Sequence, residues 1–117
     1  MKPNLSIKIT ETNEDKGYQI INFNGEFDKA GQTEIKDDLE KIVESFAGKS
    51  LVFNFENLKF INSEGIGYLM EIHTHLVQRG RKLVIVGVSA RIADVFQAIG
   101  IHEIVPVYPS LDDFLKK

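Results

Sequence analysis

The 117-residue chain contains no cysteine, which excludes both a disulfide framework and a thiolate that could bind metal or exchange electrons. It also lacks a run of about 18 apolar residues of the kind that spans a bilayer, and its polar start, residues 1–4, has none of the regions of a signal peptide. A soluble cytoplasmic protein without membrane insertion is expected, with residues 1–4 disordered. Charge of one sign is missing as well. Fourteen basic residues against 17 acidic ones leave a net −3, and the basic residues are scattered apart from Arg79, Arg81 and Lys82, which argues against a nucleic-acid surface. There is no GxxxxGK phosphate loop, no nucleophile beside a recognisable base and no acidic constellation at metal spacing. These absences point away from an enzyme, a cofactor or a metal centre. The length suits one domain over residues 1–117, able to bury about two thirds of its unfolded surface.

What is present is an alternation of strand and helix patterns. Leu5, Ile7 and Ile9 alternate with polar residues, the period of a strand with one solvated face, placed at an edge. After a polar turn over residues 11–16, residues 18–23 form a second strand, close enough to pair antiparallel with the first. Residues 25–28 end it. Gly25 suits a turn or bulge, and Asp28 suits the cap of the following helix or the edge of a binding surface. Ile35, Leu39, Ile42, Val43 and Phe46 then mark one stripe of an amphipathic helix over residues 29–46, stopped by Gly48.

Residues 51–77 organise the rest. Leu51, Val52, Phe53 and Phe55 are apolar on both faces, as in a central strand covered by helices on each side. A short crossing loop is expected next, then a helix on which Ile66, Leu69, Met70, His73, Leu76 and Val77 recur. Asn62 and Ser63 can each cap that helix, and the position of Ser63 favours capping over phosphate acceptance. Glu64 puts a carboxylate in the first turn, at the positive end of the helix dipole. Gly65 and Gly67 each disfavour a helix by about 1 kcal/mol relative to alanine; close approach of another backbone, from a neighbouring strand or a docked partner, accounts for them. His73 and His75 stand two apart, point to different faces and cannot jointly hold a metal. His73 falls on the apolar stripe and reads as a core histidine.

Gly80, Arg81 and Lys82 precede an apolar strand over residues 83–88, parallel to the central one through a right-handed crossover. Ser89 caps a third helix carrying Ile92, Val95, Phe96 and Ile99 and ended by Gly100. Ile104, Val105 and Val107 around Pro106 make a short strand at an edge or near its end. Ser110 with Asp113 resembles a capping box for a last helix holding Leu111, Phe114 and Leu115. The predicted fold is a single α/β domain with a mixed sheet of about five strands, an antiparallel edge strand plus parallel ones, and about four helices.

The succession GEFD (25–28), LVFNFENLKFINSEGIGYL (51–69), RKLVIVGVSARIADVFQAIGI (81–101) and VPVYPSLDDFL (105–115) resembles a STAS domain of the anti-sigma factor antagonist type over nearly the whole chain. In that family the loop before the second helix typically reads Asp-Ser-Ser-Gly, and a partner kinase that is also the anti-sigma factor phosphorylates the second serine. The unphosphorylated form binds the kinase and frees the sigma factor. On this chain the motif's Asp falls on Asn62, its first Ser on Ser63, its phosphorylated Ser on Glu64 and its Gly on Gly65; the Asp or Asn of the preceding strand falls on Asn54. The resemblance therefore implies an anti-sigma factor with serine kinase activity as partner, docked on Asn62, Gly65, Ile66 and Gly67 with Asp28 and Asn54.

Two departures from the motif matter. Asn62 is an amide where the family has a carboxylate, and Glu64 is a carboxylate where the family has a phosphoacceptor. Glu64 carries one permanent charge and two acceptor oxygens where phosphoserine carries about −1.5 to −2 and three, so it partially imitates the modified state. A partner that rejects the phosphorylated form then binds this chain poorly or carries a compensating basic residue. The other reading makes Glu64 a favourable first-turn acid worth about 0.3–1 kcal/mol, on a domain whose switch is lost. STAS domains also occur as small partners of lipid-transport ATPases and within anion transporters, so a non-switching accessory or scaffold role stands beside the first. Small-ligand sensing, reported for the fold broadly, has no residue signature here. Whether the domain works alone or as a homodimer is left open by the sequence.

Overall fold

The computed structural model describes residues 2–116. Along the chain run β1 Leu5–Asn13, β2 Tyr18–Phe27, α1 Lys29–Ser45, β3 Ser50–Ile61, α2 Ser63–Gln78, β4 Lys82–Val86, α3 Ala90–Ile99, β5 Val107–Tyr108 and α4 Leu111–Leu115. A 3-10 turn, Ile101–Glu103, separates α3 from β5. The strands lie side by side in sequence order, β1-β2-β3-β4-β5. β1 is antiparallel to β2, and every later pairing is parallel. This is the mixed α/β sheet that periodicity predicts.

Because each crossover steps one strand further in the same direction, a common handedness puts the long helices on one face. There, Ile35, Leu39 and Val43 of α1, Leu69, Ile72 and Leu76 of α2, and Ile92 and Phe96 of α3 share one core with Phe23, Phe53, Phe55 and Ile85 of the sheet. Phe23 is at its centre, with ring centroids 5.7 Å from Phe27, 4.7 Å from Phe53 and 5.1 Å from Phe55. The opposite face is covered less. Tyr18, Ile20, Val52, Val84 and Val86 pack there under Leu111, Phe114 and Leu115 of α4. Helices thus cover both faces as expected, three long ones on one side and a single short one on the other.

Several element bounds also change. β1 continues through Asn13, past a register shift between Ile9 and Glu11, because its polar end pairs with β2. The Tyr18 hydroxyl donates to Glu11 Oε2 at 2.6 Å, and the Gln19 amide donates to Thr12 Oγ1 at 3.0 Å. A segment that reads as a turn by composition is a strand held by side-chain bonds across the ladder. β5 is reduced to two residues, since the 3-10 turn takes up Ile101–Glu103 and leaves Ile104 exposed; the Pro106 carbonyl still accepts from Ile85 N at 3.0 Å. Val95 and Ile99 are likewise exposed, because α3 buries Ile92 and Phe96 instead. At the start of the chain, Asn4 N donates to Glu34 Oε1 at 2.9 Å and Asn4 O accepts from Glu26 N at 2.8 Å. The expected disorder over residues 1–4 concerns Met1 too, which lies outside the described residues.

Candidate functional site

β3 runs directly into α2. The expected crossing loop does not exist: residues 56–61 continue the strand, pairing Asn57, Leu58, Phe60 and Ile61 with Asn24, Gly25, Glu26 and Phe27 of the lengthened β2. Asn62 alone separates strand from helix. Its Oδ1 accepts from Glu64 N and Gly65 N, both at 3.1 Å, and its own N–H donates to Phe27 O at 3.3 Å. An amide oxygen satisfies free first-turn donors as a carboxylate would, without the charge. The cap is therefore Asn62. Ser63, expected as a cap, is the first residue of α2; it is exposed, and its hydroxyl has no partner among the described residues. Asn62→Ala is expected to lower stability by about 0.5–2 kcal/mol and Ser63→Ala to leave it within about 0.5 kcal/mol. Equal losses in urea unfolding would overturn that assignment of the cap.

Glu64 stands exposed in the first turn, its Oε2 3.8 Å from Nζ of Lys29. With both groups in solvent, such a pair contributes roughly 0–1 kcal/mol. Lys29 opens α1 directly after Asp28, whose Oδ1 caps that helix by accepting from Gly31 N at 2.8 Å. Two helix N-termini thus lie next to each other at the carboxyl ends of the parallel strands, the edge where ligands of open α/β sheets characteristically bind. Lys29 is a site residue that sequence reasoning misses, since helical periodicity carries no sign of a contact between helices.

The two glycines of α2 separate. A Cβ on Gly65 would run into the Phe27 carbonyl oxygen and come within 2.9 Å of Ile61 Cγ1 and Phe27 Cδ1, whereas one on Gly67 would meet nothing within 4 Å. Gly65 lets the helix start pack on β2; Gly67 has no packing role in the chain by itself. Ile66 is half-buried, and its N–H donates to Asn62 O at 3.0 Å. The buried stripe of α2 is Gly65, Tyr68, Leu69, Ile72 and Leu76. Val77 is 52% exposed, and Met70 and His73 are only half-buried, so His73 stands at the stripe's edge and not in the core. The seat of Gly65 on β2 rotates the helix toward Tyr68 and Ile72.

Asn54 is not brought to this cluster. Its strand neighbours Phe53 and Phe55 face the helices, so alternation directs Asn54 to the other face. There it is buried, with Oδ1 accepting from Glu56 N at 3.0 Å, and pairs in register with Asn22. Asp28, Lys29, Asn62, Ser63 and Glu64 form one group over two helix starts, with the Asp28 carboxylate engaged by Gly31 N and the Glu64 carboxylate, the Lys29 ammonium and the unpartnered Ser63 hydroxyl exposed. Among the described residues no group of three or more His, Cys, Asp or Glu could hold a metal, and no helix is long and apolar enough to cross a membrane.

An anti-sigma-B factor antagonist of Staphylococcus aureus is 27% identical over 103 residues, covering 88% of this chain and 94% of that protein. Among solved structures, an anti-sigma factor antagonist from Mycobacterium paratuberculosis is similar with a TM-score of 0.82 at 19% identity, over 96% of this chain and 92% of the other. A sulfate transporter family protein from Wolinella succinogenes has a TM-score of 0.69 at 23% identity, over 82% and 80% of the two chains. The family model described as the STAS domain matches residues 9–114, from within β1 to within α4, and the chain belongs to that family.

Proposed function

We propose that this STAS domain is a regulatory binding module of the anti-sigma factor antagonist type, which engages a kinase-type anti-sigma factor at the start of α2 in a partner-switching pathway. Glu64 acts there as a partial phosphomimic. The observation that carries the reading is the exposed Glu64 carboxylate in the first turn of α2, one residue after an unpartnered serine hydroxyl. The relative from Staphylococcus aureus, named an anti-sigma-B factor antagonist and matched over 94% of its length, supports the class of function.

In physical terms, the positive end of the helix dipole stabilises a negative charge at this position, while Lys29 at 3.8 Å offsets part of it. A partner surface that excludes phosphoserine by like-charge repulsion meets a weaker version of the same barrier here. Affinity for the kinase is consequently lower than a serine at position 64 would give.

The experiment is a pull-down from native lysate with the natural chain and with Glu64→Ser, followed by mass spectrometry of the bound proteins and of phosphate on the bait. Recovery of a kinase-like anti-sigma factor mainly on the serine variant, with phosphate at position 64, is expected. Equal recovery of the kinase on both baits would remove the phosphomimic role while keeping the partner. If both baits instead hold the same non-kinase partner, such as a transport ATPase, and neither takes phosphate, the domain is a non-switching scaffold.

A further inference from the structure

Away from the start of α2, α1 and α2 enclose a cleft of about 320 Å³. Its apolar base is Val43 and Ile72, both buried. Its rim is acidic. Glu44 is already engaged, with His75 Nε2 at 3.0 Å and Arg79 Nη2 at 3.4 Å. Glu40 and Glu71, which line the same cleft from opposite helices, have no ion pair or hydrogen bond among the described residues.

Between these carboxylates lies Tyr68, only 6% exposed, whose hydroxyl is buried and has no hydrogen-bond partner. A buried hydroxyl without a bond is destabilising, and phenylalanine would fill the same apolar space. Burial, together with the negative charges of Glu40, Glu71 and Asp37, pushes the Tyr68 pKa up to about 12. At neutral pH the group is a neutral O–H, able to donate and to accept.

We propose that this cleft is a binding site for an alkylguanidinium or alkylammonium group. The N–H donors of such a cation match two unpaired carboxylates and a phenolic oxygen, and its methylenes match the Val43 and Ile72 base. An anion would have Lys36 alone to set against the like charges of Glu40 and Glu71. A wholly apolar ligand would cover the tyrosine hydroxyl and both carboxylates without bonding them. The cation is either the end of an arginine or lysine side chain on a protein partner, or a free diamine.

Titration of the isotopically labelled chain at low salt with agmatine, and separately with N-acetyl-arginine methylamide, tests this by amide chemical shifts. Saturable shifts confined to the facing segments, residues 36–44 and 68–75, are expected. Saturation by the arginine amide assigns the site to a partner side chain; saturation by agmatine alone assigns it to free amines. The double variant Glu40→Gln, Glu71→Gln, at two exposed positions that leave the core untouched, should weaken binding by at least about tenfold, since two charge-assisted bonds are lost. Tyr68→Phe should weaken it less while leaving the spectrum's dispersion intact. Absence of saturable shifts with both probes, or shifts unchanged in the double variant, would overturn the proposal.

Discussion

Phe23→Ala is expected to lower the free energy of unfolding by about 3–5 kcal/mol, the range for deleting a buried aromatic ring. The ring is fully buried at the middle of β2, and it touches three others: Phe27 in a stacked arrangement, Phe53 tilted, and Phe55 edge-on. Removing it takes away its own transfer energy and the ring contacts that order its neighbours, and the surrounding strands cannot collapse into the gap without breaking the ladder. A domain of this size is stable by about 5–15 kcal/mol, so the variant keeps only part of its margin. Urea unfolding should show a lower midpoint with an unchanged slope. A loss below about 1 kcal/mol, ordinary for an arbitrary substitution, would mean that the aromatic cluster does not organise the core.

Gly65→Ala and Gly67→Ala are expected to change stability in opposite directions although they lie two residues apart on one helix. At position 65 the added methyl meets the Phe27 carbonyl oxygen and the side chains of Ile61 and Phe27, the latter two at 2.9 Å. Relief requires lifting the start of α2 from β2, an overpacking penalty of about 1–3 kcal/mol or more. At position 67 the methyl enters open space, and the gain in helix propensity and the restricted unfolded chain contribute about 0.5–1 kcal/mol of stabilisation. Thermal unfolding of the two variants decides the matter. If both are destabilised, the open space at Gly67 is not what limits that position. With Gly67→Ala stable and folded, weakened recovery of a partner would identify the glycine as a point of close approach.

The alternation of period-two and helical patterns is enough to read the succession of elements along the chain and the one antiparallel pairing, because each signal is local to its own element. What escaped is non-local. Residues 56–61 (ENLKFI) are a strand because β2 is also long enough to pair with them, and neither half announces this alone. The junction at Asn62 to Gly65 was legible as a helix start, yet the choice between Asn62 and Ser63 as cap depends on where the strand ends, which the same pairing decides. Lys29 came next to Glu64 through the packing of α1 beside α2. Asn54 went to the far face through strand alternation, a consequence readable from Phe53 and Phe55 once their common direction is recognised.

Asp28 and Asn62 are each the sole residue joining a strand to a helix. Both helices rest on successive carbonyl groups at the end of β2, Gly31 of α1 against Glu26 and Gly65 of α2 against Phe27. A joint of one residue, whose side chain already holds the helix N–H groups, leaves no spare torsions for a swinging motion of the kind that hinged domains use. The side chains in the first turns of α1 and α2 are therefore presented on one fixed frame, with their spacing set by β2.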